Sequence, residues 1–147
     1  MLFKSKKIDV PIYPIYLHIV VTDSEKELTG YLGEESISMD EYPGDCKACV
    51  FADKNNFVLF LNCKGGVKIE TMAHEVIHII EKLRRFIGDS DSPVQLDETF
   101  AYHVEYFFGL VFDFCLSESE IDWPDFLTDD IKKILKALAD ANKKLSN

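Results

Sequence analysis

Three features of the sequence predict a single small α+β domain. Short apolar stretches rich in β-branched and aromatic residues lie before residue 64, each bounded by turn-forming residues. From about residue 67 onward, apolar residues recur at the three- and four-residue spacing of amphipathic helices. The chain has 147 residues, a length that suits one domain with one core. We therefore expect residues 1–147 to form a small sheet with a hairpin, then two helices, then a covering helix.

Two regions of the first half have the composition of strands. Tyr16–Thr22 is rich in Ile and Val and is predicted to be a strand, and His18 within it is expected to be structural rather than a ligand. Residues 23–42 are polar, with glycines as turn signals, and predict a loop or an irregular connection with some helix. Cys49–Ala52 and Phe57–Cys63 are predicted to pair as a hairpin across the polar residues between them.

A first helix is predicted from Val67 to Ile87, with Gly88 directly beyond it as the C-cap. Basic residues in its last turns suit the negative end of the helix dipole. The apolar stripe that would face the core leaves His74 and His78 on a different stripe. The residues of that apolar stripe are Met72, Val76, Ile79, Ile80, Leu83 and Ile87.

Two further helices are predicted downstream. Residues 92–95 have the pattern of a helix start, with a serine as N-cap, a proline at the first helical position and a glutamine that completes a capping box. Residues 117–126 are predicted to be an acidic linker, and Thr128 to cap a last helix over about residues 128–145. That helix is expected to pack through an amphipathic stripe. The stripe consists of Ile131, Ile134, Leu135 and Leu138.

The pentapeptide His74-Glu75-Val76-Ile77-His78 carries the strongest chemical signal. Residues four apart lie on one helical face with Cβ atoms about 5–6 Å apart, so two imidazoles can converge on one zinc ion at roughly 2.0–2.1 Å. Glu75 would lie beside the metal without binding it, placed to act as general base. The alternative, that the two histidines are ordinary polar positions on an amphipathic helix, stays open.

Glu98 is the predicted third ligand, because a catalytic zinc ion usually has three protein ligands and one open position. On the second predicted helix it shares a face with Tyr102 and Glu105. A carboxylate on a helix rich in Phe and Val needs solvent or a cation, and a metal on the preceding helix would supply the cation. The short turn over residues 88–92 permits Glu98 to return beside the histidines. A stripe that simply faces water is the alternative.

These residues resemble those of the gluzincins, the thermolysin-like zinc metallopeptidases whose third ligand is a glutamate. Gluzincins carry the two-histidine helix, a connection and a second helix that bears the ligand Glu. Here 19 residues separate His78 from Glu98, which is similar to the thermolysin spacing. Asp97–Tyr102 is also similar to the second-helix signature of small zincin proteins that phages and mobile elements encode.

The resemblance covers residues 66–112 and implies a minimal zincin-like domain with a catalytic zinc. It implies that the hairpin arm Phe57–Cys63, or its neighbour, borders the metal and holds an extended peptide by strand addition. Thermolysin-like enzymes have an acidic residue four positions after the ligand Glu, where this chain has Tyr102. Tyr102 is the hydroxyl expected to assist, on a histidine or on the developing oxyanion. The site residues carried over are the ligands His74, His78 and Glu98 and the base Glu75.

The charge of the chain constrains its partners. A net charge of −10 and a pI near 4.8 argue against binding nucleic acid or anionic lipid, because both need clustered Lys or Arg. The same acidity favours basic peptides as substrates, though only weakly. Residues 1–7 are basic but have no apolar run behind them, so no secretory signal is expected and a cytoplasmic location follows, in a bacterium or a phage-infected host cell.

The four cysteines suggest an alternative function, in metal binding or in redox chemistry. Cys46 and Cys49 form a pair with two intervening residues, but a structural zinc ribbon needs a second such pair. Cys63 and Cys115 stand alone in apolar runs, where cysteine behaves as a small core residue. Buried or local thiols are the preferred interpretation, with a disulfide or redox role and a metal role as alternatives.

The sequence therefore predicts a zinc-dependent metallopeptidase that hydrolyses peptide bonds in a peptide or protein substrate. The alternative is a degenerate zincin-fold protein that serves as a binding or assembly module of a phage or mobile element without catalysis. Its basis is an aromatic cluster on the second helix that could form a homo-oligomer interface or could simply be buried. The cluster consists of Tyr106, Phe107, Phe108, Phe112 and Phe114.

Overall fold

A computed structural model describes residues 2–39, 42–43, 46–88, 98–124 and 129–146. It confirms an α+β fold, with a mixed four-stranded sheet in the order β1-β2-β4-β3 and a two-stranded sheet formed by β5 and β6. The elements in chain order are β1 Phe3–Asp9, β2 Tyr16–Thr22, α1 Glu25–Glu34, β3 Ala48–Asp53, β4 Asn56–Leu61, β5 Val67–Lys68, α2 Ile69–Phe86, α3 Glu98–Glu118, β6 Ile121–Asp122 and α4 Asp129–Ser146.

The middle of the sheet is formed by β2 and β4, which pair in parallel. Both are buried on their two faces, which explains why they consist almost entirely of apolar residues. The outer strands β1 and β3 pair antiparallel with β2 and β4, respectively. The sheet therefore has two edges, and β3 forms the one nearer to α2.

Helices cover both faces of the sheet. On one face, Leu28 and Leu32 of α1 pack against Val20, Val58 and Phe60. On the other face, α2 and α3 enclose the larger core together with the alternate residues of β2 and β4. Leu135 of α4 packs against the rim of this core. The core is thus divided between the two faces, and α2 lies directly on the sheet.

Several predicted elements agree with the structure. The strand Tyr16–Thr22 is confirmed with its bounds, and the hairpin is confirmed as β3 and β4. The first predicted helix is confirmed as α2, which begins two residues later than expected because Val67–Lys68 pair with β6. Within the polar segment 23–42, the helical part is α1, capped by the Ser24 side chain, which accepts from the Glu27 N–H.

Other predictions need correction. The strand β1 was not predicted from the sequence. Its lysines are typical of an edge strand with one solvated face, and it lacks the apolar run that identifies a buried strand. The linker predicted over residues 117–126 instead begins with the last turn of α3 and contains β6. The predicted helix starts at residues 92–95 and at Thr128 lie outside the described residues.

The aromatic cluster of α3 packs largely into the hydrophobic core. Phe107 and Phe114 are buried, and Tyr106, Phe108 and Phe112 pack against the same core. Exposed large apolar side chains include Tyr102 of α3 and Ile131, Ile134 and Leu138 of α4, so the prediction that the α4 stripe packs is confirmed only for Leu135. No helix in the described ranges has both the length and the apolarity needed to cross a membrane.

His18 is a structural residue, as its sequence context predicted. Its side chain is fully buried at 0% exposure. Nε2 lies 2.8 Å from the Asn56 Oδ1, which can only accept, so Nε2–H donates and Nδ1 accepts from the Tyr31 hydroxyl at 2.8 Å. Burial lowers the pKa of His18, with the Asn56 hydrogen bond opposing this effect. The imidazole is therefore held neutral between β2 and α1.

This environment predicts a pH-dependent contribution to stability. Because the pKa of His18 is lowered from 6.5 in the fold, the unfolded chain binds the proton first, and stability is lost as pH falls below about 6.5. We expect His18→Gln to lower the free energy of unfolding by about 1–3 kcal/mol at neutral pH and to flatten its decline toward acid pH. Denaturant titrations across the pH range measure both effects, and parallel curves for the two proteins would contradict the assignment.

Candidate functional site

The rotation of α2 on the sheet positions the motif side chains. Met72, Val76 and Ile79 are fully buried and bind this helix to the core. Glu75 lies at the border of that face and is only 6% exposed, whereas His74 lies on the exposed side of the helix. His74 and His78 are one helical turn apart, as their spacing predicted. The two imidazoles therefore meet at the surface, beside a buried carboxylate.

The two imidazoles face each other through their Nε2 atoms. These atoms are 3.1 Å apart, and the ring planes are inclined by 74°. The Nδ1 of His78 lies 3.2 Å from the Glu81 Oε2. Because a carboxylate accepts, Nδ1–H donates to Glu81 and leaves the lone pair of His78 on Nε2, pointing toward His74. Glu81 thus fixes the tautomer that a metal ligand requires.

Sequence reasoning did not identify Glu81. The signal was present, because Glu81 follows His78 by three residues, a spacing at which helical side chains meet. Only the orientation of the His78 ring shows that this carboxylate holds Nδ1 rather than facing solvent alone. Glu81 is therefore a positioning residue for the histidine pair.

Glu75 has the electrostatic environment of a proton acceptor. Burial raises the pKa of its carboxyl, while the charges of His78 and His74 act in the opposite direction. The desolvated carboxylate is a stronger base than a solvated one would be. Glu75 lines the same cleft as the two imidazoles, and its burial could not be predicted from the sequence.

A cleft of about 380 Å³ opens beside these residues. Its walls are α2, through His74, Glu75 and His78, and the start of the edge strand β3, over residues 48–50. In the part of the chain that the structure describes, no strand pairs with the outer edge of β3. The expectation that a hairpin arm borders the motif is thus confirmed for β3, the neighbour of the arm Phe57–Cys63.

The other two predicted site residues lie elsewhere. Glu98 is the first described residue of α3, which packs against α2, and its side chain is exposed. Tyr102 is 66% exposed and lines a separate apolar cavity of about 210 Å³ with Tyr13 and His103. Within the described ranges, no group of three His, Cys, Asp or Glu side chains is arranged to hold a metal ion. The structure therefore brings together His74, Glu75 and His78 but not Glu98 or Tyr102.

The histidine pair by itself fits a metal. Two nitrogens that each lie about 2.0–2.1 Å from a tetrahedral zinc ion are about 3.3 Å from each other. The observed Nε2–Nε2 distance of 3.1 Å, at which the His74 Nε2–H donates a hydrogen bond to the His78 Nε2, is close to this value. The imidazole pair could therefore accept the ion with only a small adjustment of its side chains.

The cysteines are all free thiols. Cys46 and Cys49 lie within hydrogen-bonding distance of each other at the start of β3, and Cys115 is buried in the core. Burial, together with the neighbouring Cys46, raises the pKa of the Cys49 thiol to about 12. These environments agree with the preferred interpretation of local thiols.

Comparisons of the chain with protein-family models, curated proteins and solved structures give no match in any of the three. The function of the site has to be argued from its own geometry.

The environment of Cys49 predicts low reactivity. A pKa of about 12 instead of 9.0 reduces the thiolate fraction at neutral pH, and the higher nucleophilicity of such a thiolate offsets only part of the loss. We expect alkylation of Cys49 by iodoacetamide to be about 30-fold slower than that of an unfolded thiol. Residue-resolved mass spectrometry measures the rate in native and denatured protein. Equal rates in the two states would contradict the assigned burial.

Proposed function

We propose that this protein is a zinc-dependent metallopeptidase in which His74 and His78 bind the metal and Glu75 is the general base. The observation that carries the proposal is the convergence of two Nε2 atoms, 3.1 Å apart, beside a buried carboxylate in one cleft. Zinc, when bound, supplies a Lewis acid and lowers the pKa of water toward about 7. We propose Glu98 as the third ligand; its exposed side chain does not lie beside the two histidines in this structure and would have to reach them when the metal binds.

Glu75 would take a proton from the attacking water and return it to the leaving amine. Its raised pKa supports this role, because a base works best when its pKa approaches the working pH. Glu81 would keep His78 in the metal-binding tautomer through the Nδ1–H hydrogen bond. Three carboxylates would then have three different roles, each set by its surroundings.

The substrate would bind to β3 as an additional strand. Among the described residues no strand pairs with the outer edge of β3, so its N–H and C=O groups beside the cleft would be available to an extended peptide. Main-chain pairing would hold the peptide next to His74 and Glu75 without requiring a particular side chain. This arrangement supports peptide hydrolysis over hydrolysis of a small amide.

Two observations support Glu98 as the third zinc ligand. Its helix α3 packs against α2, and the spacing of Glu98 from His78 is the one that the resemblance to gluzincins carries over. Tyr102, one turn further along α3, remains the proposed assisting hydroxyl. Substitution is the direct test of both residues.

Metal binding provides the first test. We expect protein purified without chelator to contain about one zinc ion per chain, and His74→Ala or His78→Ala to abolish binding. Glu81→Gln is expected to weaken the zinc affinity about 10–100-fold, as is typical of residues that orient a ligand. Competition against a chromogenic chelator measures the affinities.

The acidic residues of α3 and α2 supply matched controls. Glu98→Gln should weaken zinc binding, whereas Glu105→Gln, on the exposed surface of the same helix, should not. Glu70 is exposed in the first turn of α2, so Glu70→Gln is the matched control for Glu81→Gln and should not weaken zinc binding. Equal affinities for Glu98→Gln and Glu105→Gln would remove Glu98 from the ligand set.

Catalysis provides the second test. We expect the zinc-loaded protein to cleave members of a peptide library, and Glu75→Gln to reduce the rate about 10²–10⁴-fold while zinc stays bound, since general base catalysis contributes on that scale. Mass spectrometry of the library reports the cleaved bonds. Tyr102→Phe should lower the rate without changing the zinc affinity if the hydroxyl assists.

The non-enzymatic alternative has a distinct outcome. A degenerate zincin-fold module would keep zinc and turn over no peptide, and Glu75→Gln would change neither property. All five aromatic residues of the α3 cluster contribute to the core or pack against it, so the cluster gives less support to a homo-oligomer through this helix. The peptidase proposal therefore stands as the better supported of the two.

A further inference from the structure

A second cavity, of about 310 Å³, is lined by the residue before β3, the turn after β4 and the first turn of α2, all close in sequence to residues of the cleft wall. Lys47 directly precedes β3 residue Ala48 of the cleft wall, and Thr71 lies one turn before His74 and Glu75 on α2. The other polar residues of its lining are Asn62, Lys64, Lys68 and Asp122. The cavity thus continues the path that a peptide paired with β3 would follow.

The charge of this cavity is opposite to that of the chain. The protein has a net charge of −10, yet three lysines line the cavity with a single carboxylate in its described lining, Asp122. Asp122 lies 3.7 Å from the Lys68 Nζ. Among the residues placed in the structure, neither Lys47 nor Lys64 forms an ion pair with a carboxylate. The lining therefore has two lysines available to an anion from solvent.

The backbone around the lysines is held in place. Gly65 and Gly66 have φ angles of 77° and 87°, which only glycine adopts readily. The Asn62 Oδ1 accepts from the Lys64 N–H at 3.0 Å. A Cβ on Gly66 would approach the Asp122 nitrogen to 3.1 Å, so the turn packs closely against β6. These contacts fix the positions from which the lysine side chains extend.

The distance from the histidine pair sets which part of a substrate would reach the cavity. At about 1.5 Å per residue, Thr71 lies about 5 Å, and Ile69 at the start of α2 about 8 Å, from His74 along the helix. An extended peptide covers about 3.3 Å per residue. A group in the cavity would therefore belong to a residue about two or three positions from the bond beside His74.

We propose that this cavity is a substrate subsite that binds a carboxylate, so that the proteolytic substrates of this acidic protein carry an acidic residue or a free C-terminus near the cleaved bond. The inference rests on the proposed peptidase function and names its substrate class. Lys47 and Lys64 donate charge-assisted hydrogen bonds to the carboxylate oxygens. Local charge, rather than net charge, then selects the substrate, which reverses the weak preference for basic peptides expected from composition.

The test measures binding separately from cleavage. Full-length, zinc-loaded Glu75→Gln protein is titrated into labelled peptide libraries that carry Glu at one fixed position or Gln at the same position, each with a free or an amidated C-terminus. Fluorescence anisotropy gives the affinities. We expect peptides with a carboxylate to bind about tenfold more tightly than their amide counterparts. The Glu/Gln and acid/amide pairs distinguish an acidic side chain from a C-terminal carboxylate.

Charge-matched variants identify the cavity. In the Glu75→Gln background, Lys47→Gln with Lys64→Gln should abolish the tenfold preference. Lys26→Gln with Lys136→Gln, two exposed lysines on α1 and α4, changes the net charge equally and should retain it. Equal affinity for acidic and amide peptides, equal losses in both double variants, or no binding of any acidic peptide up to about 1 mM would overturn the subsite.

The two proposals fail separately. An acid preference that depends on Lys47 and Lys64, without cleavage by the protein that retains Glu75, would sustain the subsite and remove the peptidase. Cleavage of acidic and amide peptides at equal rates would sustain the peptidase and remove the subsite.

Discussion

The packing of α2 against the middle of the sheet is the constraint on which the candidate site depends. Met72, Val76 and Leu83 are fully buried against the core, and each such side chain stabilises the packed arrangement by about 1.5–3 kcal/mol. Because successive helical residues are rotated by about 100°, fixing this face fixes the direction of all others. Glu75 is thereby held at the edge of the core, and the histidine pair is turned toward the cleft beside β3.

The role of each histidine follows from its burial and its hydrogen-bond partners. His18 is enclosed between β2 and α1 with both nitrogens hydrogen-bonded, so nothing remains for a ligand. His103 shares a hydrogen bond with the Tyr13 hydroxyl on a different surface. His74 and His78 differ because their Nε2 atoms meet each other at the surface, and because Glu81 takes the opposite nitrogen of His78. This difference in surroundings is the basis on which the histidine pair, and neither of the other two histidines, is proposed to bind a metal ion.

The same reasoning applies to the carboxylates and lysines. A net charge of −10 describes the average surface, but the cleft and the adjoining cavity depart from it. At Glu75, burial outweighs the opposing charges of the two histidines and raises the pKa. Around Lys47 and Lys64, the described lining of the cavity contains one carboxylate, Asp122, which pairs with Lys68. Composition alone would have predicted neither the raised pKa of Glu75 nor the grouping of three lysines around one cavity.

The sequence by itself determined the central elements, since β2, the β3–β4 hairpin and α2 are specified by local apolar patterns and by turn residues. It also determined that two imidazoles would meet, because residues four apart on a helix are neighbours in any context. The edge strand β1 escaped prediction because it lacks the apolar run of a buried strand, and the β5–β6 pair did so because its two strands are distant in the chain. Only the tertiary structure decided that Glu75 is buried, that β3 borders the cleft and that three lysines line one cavity, because burial and electric field arise when separate elements pack together.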